Sequence, residues 1–351
     1  MAVTSTARHH APRLIRAERA PATTPPPLVG DWAAADTRLD DVRLLRLPTG
    51  AAPEDVAIDA AGRLVAGGDD GRIWRWDGDA LTDVGARPPV PTLLAETGGR
   101  PLGIELDPRD GTLVVCDAYR GLLRVTDDGR IEDLAAEAGG RSFVFCNNAS
   151  VSRDGTVFFT DSSDRYPLSV WKRDLLEHRP NGRLLAWGPG SRRADVVRDG
   201  FYFPNGVALT PDESAVLLVE TTTHRLLRVD LTGRSDGEPV VLADLPAYPD
   251  NMSAVGDGTF WIALPSPRVA IAERLLPHPR LRQVAAFLPD RLQPQPHRYG
   301  LVALVDERGR VQRTLHGPSG RYTMITGVRQ DGGLLYMGSL TEPGVAQVRL
   351  D

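Results

Sequence analysis

The chain has 351 residues, with 41 Lys+Arg against 46 Asp+Glu and a formal net charge of −5. Hydrophobic residues make up 41% and charged residues 25%, the balance of an ordinary globular protein with ample material for a core. A mildly acidic chain without a basic half argues against a nucleic-acid partner, and no apolar run approaches the length of a membrane span. The two cysteines, Cys116 and Cys146, cannot form a disulfide framework and read as buried thiols of a cytoplasmic protein.

Residues 1–35 carry Arg8, Arg13, Arg16 and Arg19 and the run Pro25-Pro26-Pro27, without an apolar stretch of signal-peptide type. This segment is expected to be a disordered tail. Residues 36–351 are expected to form one domain. From residue 56 a theme recurs: an alternating strand, an Asp/Gly turn, and a second β-rich run. It appears at Val56–Asp59 with Gly62–Val65, Ile104–Asp107 with Gly111–Val114, and Ser150–Arg153 with Gly155–Phe158. It returns at Val207–Thr210 with Ala215–Leu217, Ser253–Val255 with Gly258–Trp261, and Gly327–Arg329 with Gly333–Tyr336.

Six such repeats predict an all-β fold, a six-bladed β-propeller of four-stranded blades. Val42–Leu47 precedes the first repeat and is expected to supply the outer strand of the last blade, closing the ring. The long interval between the fifth and sixth repeats, about residues 270–298, predicts a short helical insertion between blades 5 and 6, bounded by prolines.

Aligning the repeats on their first strands places Glu54, Leu102, Asn147, Asn205, Asp250 and Met324 at equivalent entry points. Four of the six are carboxylates or carboxamides, and in a closed ring they converge on one axis. Convergent oxygen donors suit a hard cation, Ca²⁺ first, with Mg²⁺, Mn²⁺ or Zn²⁺ as other divalent options. One step on, Asp55, Asn148 and Asn251 add ligands or form a second cation position. Glu220, inside a strand of the fourth blade, either points into the channel or bonds a neighbouring blade. Leu102 and Met324 belong to the candidate substrate pocket. His178, His224, His278, His297 and His316 read as solvated loop residues.

The motifs Arg100–Ile104, Cys116–Leu123, Phe158–Ser163, Phe203–Leu209, Val219–Thr221, Pro249–Asn251 and Leu335–Leu340 resemble the strictosidine synthase-like proteins, over about residues 50–351. That family shares a six-bladed propeller superfamily with the paraoxonases and the senescence-marker/gluconolactonase proteins. The paraoxonase resemblance implies a catalytic Ca²⁺ held by Glu54, Asn147, Asn205, Asp250 and Asn251. It also implies a structural Ca²⁺ position at Asp55, whereas Asn148 stands where an Asp is expected, and Leu102 replaces a His beside the metal. In strictosidine synthase the catalytic Glu aligns with Thr326, so that acid/base is missing here while Thr326 stays in the substrate pocket. The expected function is a metal-dependent hydrolase of a lactone or related ester, with Asp250 or Glu54 accepting the proton from water and a small molecule as the partner. The alternatives are a non-hydrolytic condensing or cyclising enzyme and a non-catalytic scaffold.

Overall fold

The computed structural model describes residues 14–83, 87–232 and 238–351. Six four-stranded antiparallel sheets stand around a common axis, and the innermost strand of each contacts those of its neighbours. The strands of blade one are Pro53–Ile58, Leu64–Gly68, Arg72–Trp76 and Thr92–Glu96. Blade four repeats the pattern with Pro204–Leu209, Ala215–Glu220, Arg225–Asp230 and Val240–Asp244. Between the first two strands an Asp caps the turn: Asp59 Oδ1 accepts the Ala61 and Arg63 N–H groups at 2.9 Å each. Gly62 takes the left-handed conformation (φ 72°) that the turn requires.

Blade six begins with Ile325–Asp331, Leu334–Ser339 and Gly344–Arg349, and its outer strand is Arg43–Arg46. Leu45 lies opposite Val345 and is fully buried against Trp76 and Tyr336, so the expected closure of the ring is present. Closure across distant parts of the chain removes the open edge that would otherwise invite aggregation.

The helical insertion comprises Ala270–Leu275 and Pro279–Ala285. It lies inside blade five, between the strands Thr259–Ala263 and Gly300–Asp306, rather than after that blade is complete. The second of these helices packs on the first and on the helix Lys172–Glu177, itself inserted between the second and third strands of blade three. Of the segment expected to be a tail, residues 1–13 lie outside the described residues. From residue 14 onward it runs over this helical cap: Ile15 is buried against Tyr166 and Ala286, and Ala20 N–H donates to the Leu276 carbonyl. No helix among the described residues is long and apolar enough to cross a membrane. Both cysteines are free and buried.

Asp174 anchors the blade-three helix. Its Oδ2 accepts from Ser163 Oγ at 2.6 Å and Asn181 Nδ2 at 3.0 Å, and burial pushes its carboxyl up to about 7.

Truncating Leu45 to Ala in the closing strand should cost about 2–5 kcal/mol in urea unfolding, the range for a fully buried Leu. Asp174 supplies a pH-dependent prediction. Its folded pKa exceeds its unfolded one, so its contribution to stability is complete below about pH 4 and drains away as pH rises toward about 7. Asp174→Asn should therefore gain on the wild type between pH 4.5 and pH 8, by an amount on the order of a few kcal/mol, in paired denaturant titrations.

Candidate functional site

In five of the six blades the first strand enters the ring through a register shift against the second strand. In blades one to four the pairing breaks between Pro53 and Val56, Pro101 and Ile104, Cys146 and Ala149, and Pro204 and Val207. A bulge leaves its residues outside the ladder and re-aims their side chains. The displaced residues are Glu54-Asp55, Leu102-Gly103, Asn147-Asn148 and Asn205-Gly206; in blade five, Asp250-Asn251 directly precede the first strand. The shift in blade six falls between Ile325 and Gly327, so the sixth equivalent residue is Thr326 and not Met324. Met324 corresponds to Phe203 in blade four. Both have left-handed backbone (φ 51° and 53°), and each carbonyl accepts the N–H of the residue after its blade's second strand, Leu340 and Thr221.

Glu54, Asn147, Asn205 and Asp250 meet in an axial cavity of about 50 Å³. Its other walls are apolar: Leu102, Phe145, Leu168, Trp171, Phe203 and Leu340. All five residues of the expected ligand set are buried, Asn251 included. Asn147 Oδ1, Asn205 Oδ1, Asp250 Oδ1 and Asn251 Oδ1 are buried oxygens with no hydrogen-bond partner. An unpaired buried acceptor costs on the order of 1–3 kcal/mol, so the three that line one cavity, on Asn147, Asn205 and Asp250, call for a common partner.

The amide nitrogens are held away from the cavity. Asn147 Nδ2 donates to Ser162 Oγ (2.8 Å), which donates in turn to the Pro204 carbonyl (2.7 Å). Asn205 Nδ2 donates to Thr221 Oγ1 (3.3 Å), which donates to the Pro249 carbonyl (2.7 Å). Asn251 Nδ2 donates to Glu54 Oε2 at 3.0 Å. In blades three and four one hydroxyl thus fixes an amide and ties it to the next blade.

Burial, followed by repulsion from Asp250 and Asp55, pushes the Glu54 carboxyl well above the usual range, with Arg100 opposing. Burial likewise pushes Asp250 up to about 8. The site therefore concentrates negative charge and carbonyl dipoles without an adequate counter-charge. Its donors are all oxygen, as Ca²⁺ and Mg²⁺ prefer, and carboxamides supply part of them; among the described residues no group of three or more His, Cys, Asp or Glu is placed to hold a metal ion. The residues fit a hard divalent cation.

Asp55 and Asn148 come together, with Asn148 Nδ2 at 3.4 Å from Asp55 Oδ2. Their acceptors serve neighbouring blades: Asp55 Oδ2 takes the Ile104 N–H (3.1 Å) and Asn148 Oδ1 takes the Val207 N–H (3.0 Å). Thr326 donates to the Glu54 carbonyl at 2.7 Å, beneath the cavity. Glu220 is buried at the end of its strand, where its oxygens accept the Tyr202 N–H (2.8 Å) and the Thr223 hydroxyl; it bonds locally and does not line the axial cavity. Met324 lines a different cavity, under the cap helices.

Two of the histidines depart from the solvated reading. His316 is fully buried with Nδ1 at 2.9 Å from Tyr299 OH, and His224 is 4% exposed against Tyr248. His178 is partly buried; His278 and His297 are exposed. The aromatic walls Phe145, Trp171 and Phe203 escaped the sequence reading, although Phe145 and Phe203 each sit two residues before a site Asn.

The chain can now be set beside known proteins. A family model described as strictosidine synthase matches residues 147–233, and one described as strictosidine synthase-like, N-terminal, matches residues 30–76. Protein strictosidine synthase-like 10 of Arabidopsis thaliana is 34% identical over 326 residues, covering 86% of each chain. The chain belongs to the strictosidine synthase-like family. The adipocyte plasma membrane-associated protein of Salmo salar is 31% identical over 93% of this chain and 82% of its own. Among solved structures, a gluconolactonase from Xanthomonas campestris superposes with a TM-score of 0.62 at 20% identity, covering 97% of this chain and 99% of that one. The calcium-binding protein regucalcin from Agrobacterium tumefaciens gives 0.59 at 14% identity, over 88% and 92% of the two chains. At these identities the structural likeness shows the propeller fold.

If the axial residues share one cation, adding millimolar Ca²⁺ to chelator-treated protein should raise the melting temperature of the wild type. Asn205→Ala should abolish that rise. An equal rise in both would place the ion elsewhere.

Proposed function

We propose that this chain is a divalent-cation-dependent hydrolase of a lactone or related ester, with Ca²⁺ the favoured ion. The observation that carries this reading is the set of three unpartnered buried oxygens, on Asn147, Asn205 and Asp250, that line an apolar-walled cavity with Glu54 beside them. The gluconolactonase and calcium-binding neighbours on the same fold support it.

Glu54, Asn147, Asn205, Asp250 and Asn251 would hold the cation. A bound divalent ion supplies Lewis-acid polarisation of an ester carbonyl and stabilises the charge that develops on its oxygen. The remaining work falls to the chain. Leu102, Phe145, Trp171 and Phe203 bury the apolar part of the substrate and exclude bulk water from the reacting carbonyl. Ser162 and Thr221 hold the two amides so that oxygen, not nitrogen, faces the axis. Of the cavity-lining groups only Glu54 and Asp250 can accept a proton from the attacking water.

The strictosidine synthase-like relatives favour a second reading, a non-hydrolytic enzyme that uses the cavity as a shaped pocket. Against it, Thr326 cannot exchange a proton at neutral pH, and its hydroxyl is committed to the Glu54 carbonyl. A non-catalytic scaffold leaves the unpartnered axial oxygens without a role.

A panel of γ- and δ-lactones should be hydrolysed by the Ca²⁺-loaded protein, with activity lost on chelation and restored by Ca²⁺. Ser162→Ala, which frees the Asn147 amide, should lower activity roughly 10–100-fold, as for other residues that orient metal ligands. Turnover unaffected by chelation would reject the cation-dependent mechanism.

A further inference from the structure

A second pair of cavities lies off the axis. One, of about 150 Å³, is a half-open cleft lined by the helix Lys172–Glu177, the insertion helices and the rim of blade four. The other, of about 330 Å³, adjoins it through the shared residues His178, Thr222, His224, Glu273 and Leu276. Its outer wall is the segment 18–23, where Thr23 Oγ1 donates to Glu273 Oε2 and the Arg282 guanidinium donates to the Glu18 carbonyl.

The junction is polar and buried. Thr222 Oγ1 and His224 Nε2 make no hydrogen bond, on side chains only 5% and 4% exposed. Glu273 Oε1 lies 3.5 Å from His224 Nε2 and 3.7 Å from Arg268 Nε, and Arg268 also bonds Asp244 at 3.0 Å. Burial and the nearby Arg268 keep the imidazole neutral. Away from this junction the walls are mainly aliphatic, with Leu175, Val269, Ala272, Leu276 and Met324, interrupted by Lys172, Arg282 and Gln293.

We infer that this chamber is a binding site for a neutral, ring-sized apolar molecule bearing one hydroxyl, separate from the axial cation site. A hydroxyl both donates and accepts, which is what the unpartnered Thr222 and His224 atoms together require. At the junction itself a carboxylate meets Glu273 and an ammonium meets Arg268, each with repulsion; Lys172, Arg19, Arg225 and Arg282 also line the two cavities, Arg282 being committed to the carbonyls of Leu176, Glu177 and Glu18. The aliphatic walls take the ring; an apolar cavity of about 150 Å³ is known to hold a benzene-sized guest. The segment 18–23 forms the outer wall of the site.

The probe is 4-ethylphenol, titrated calorimetrically into the full chain beside ethylbenzene and 4-ethylbenzoate. The phenol should bind at one site per chain, about tenfold tighter than ethylbenzene, the worth of one well-made hydrogen bond, with 4-ethylbenzoate weakest. Thr222→Val should lower phenol affinity about tenfold, and His224→Phe similarly. Asn205→Ala and Asp250→Asn on the axis should leave it unchanged. Thr222→Val is nearly isosteric, so it carries the test if His224→Phe fails to fold. No saturable phenol binding, equal affinity for phenol and ethylbenzene, undiminished binding in a folded Thr222→Val protein, or loss of binding in the axial variants would each overturn the proposal.

Discussion

Six innermost strands can pack side by side around one axis only if their backbones approach closely, and the rest of the structure follows from how this chain permits that approach. At the position after the entry residue of successive blades stand Asp55, Gly103, Asn148, Gly206, Asn251 and Gly327. Polar side chains alternate with glycines around the ring. A Cβ on Gly103 would stand 2.7 Å from Asn148 Cα, one on Gly206 2.6 Å from the Asp250 carbonyl oxygen, and one on Gly327 2.7 Å from Asp55 Cα. Each glycine therefore makes room for the polar residue of an adjoining blade. Asp55 and Asn148 use that proximity to accept backbone N–H groups across the blade boundary.

This packing explains why the axial side chains are both buried and unfulfilled. The bulges that turn Glu54, Asn147 and Asn205 inward also take them out of the strand ladder, where no backbone partner reaches their oxygens. Interior polar groups are ordinarily paired. Here Ser162 and Thr221 satisfy only the amide nitrogens and tether them to the next blade, so the unpaired oxygens are a product of the same contacts that close the ring. Stability of the ring and formation of the site are consequently coupled.

The repeat and its phase were legible in the sequence because period-2 alternation and Asp/Gly turns are local. Glu54, Asn147, Asn205 and Asp250 emerged from that phase, and the closing strand was visible as an alternating run without a meander of its own. The sixth position came out two residues early, at Met324, because the backbone kink before Ile325 that sets the register leaves no mark in residue type. The aromatic walls and the chamber around His224 and Glu273 were illegible for another reason. They join residues from blades three, four and five with the 270–298 insertion, across separations that no local pattern encodes. Position 224 read as a loop in sequence and is covered in space by Tyr248 and the cap.

The central claim is that the axial oxygens share one divalent ion, and elemental analysis of protein purified without chelator tests it most directly. The account predicts one equivalent of a divalent metal, Ca²⁺ foremost, per wild-type chain, and none in a folded Asn147→Ala/Asn205→Ala double variant. A metal-free wild type that takes up no ion on dialysis against Ca²⁺, or a double variant that retains a full equivalent, would contradict it.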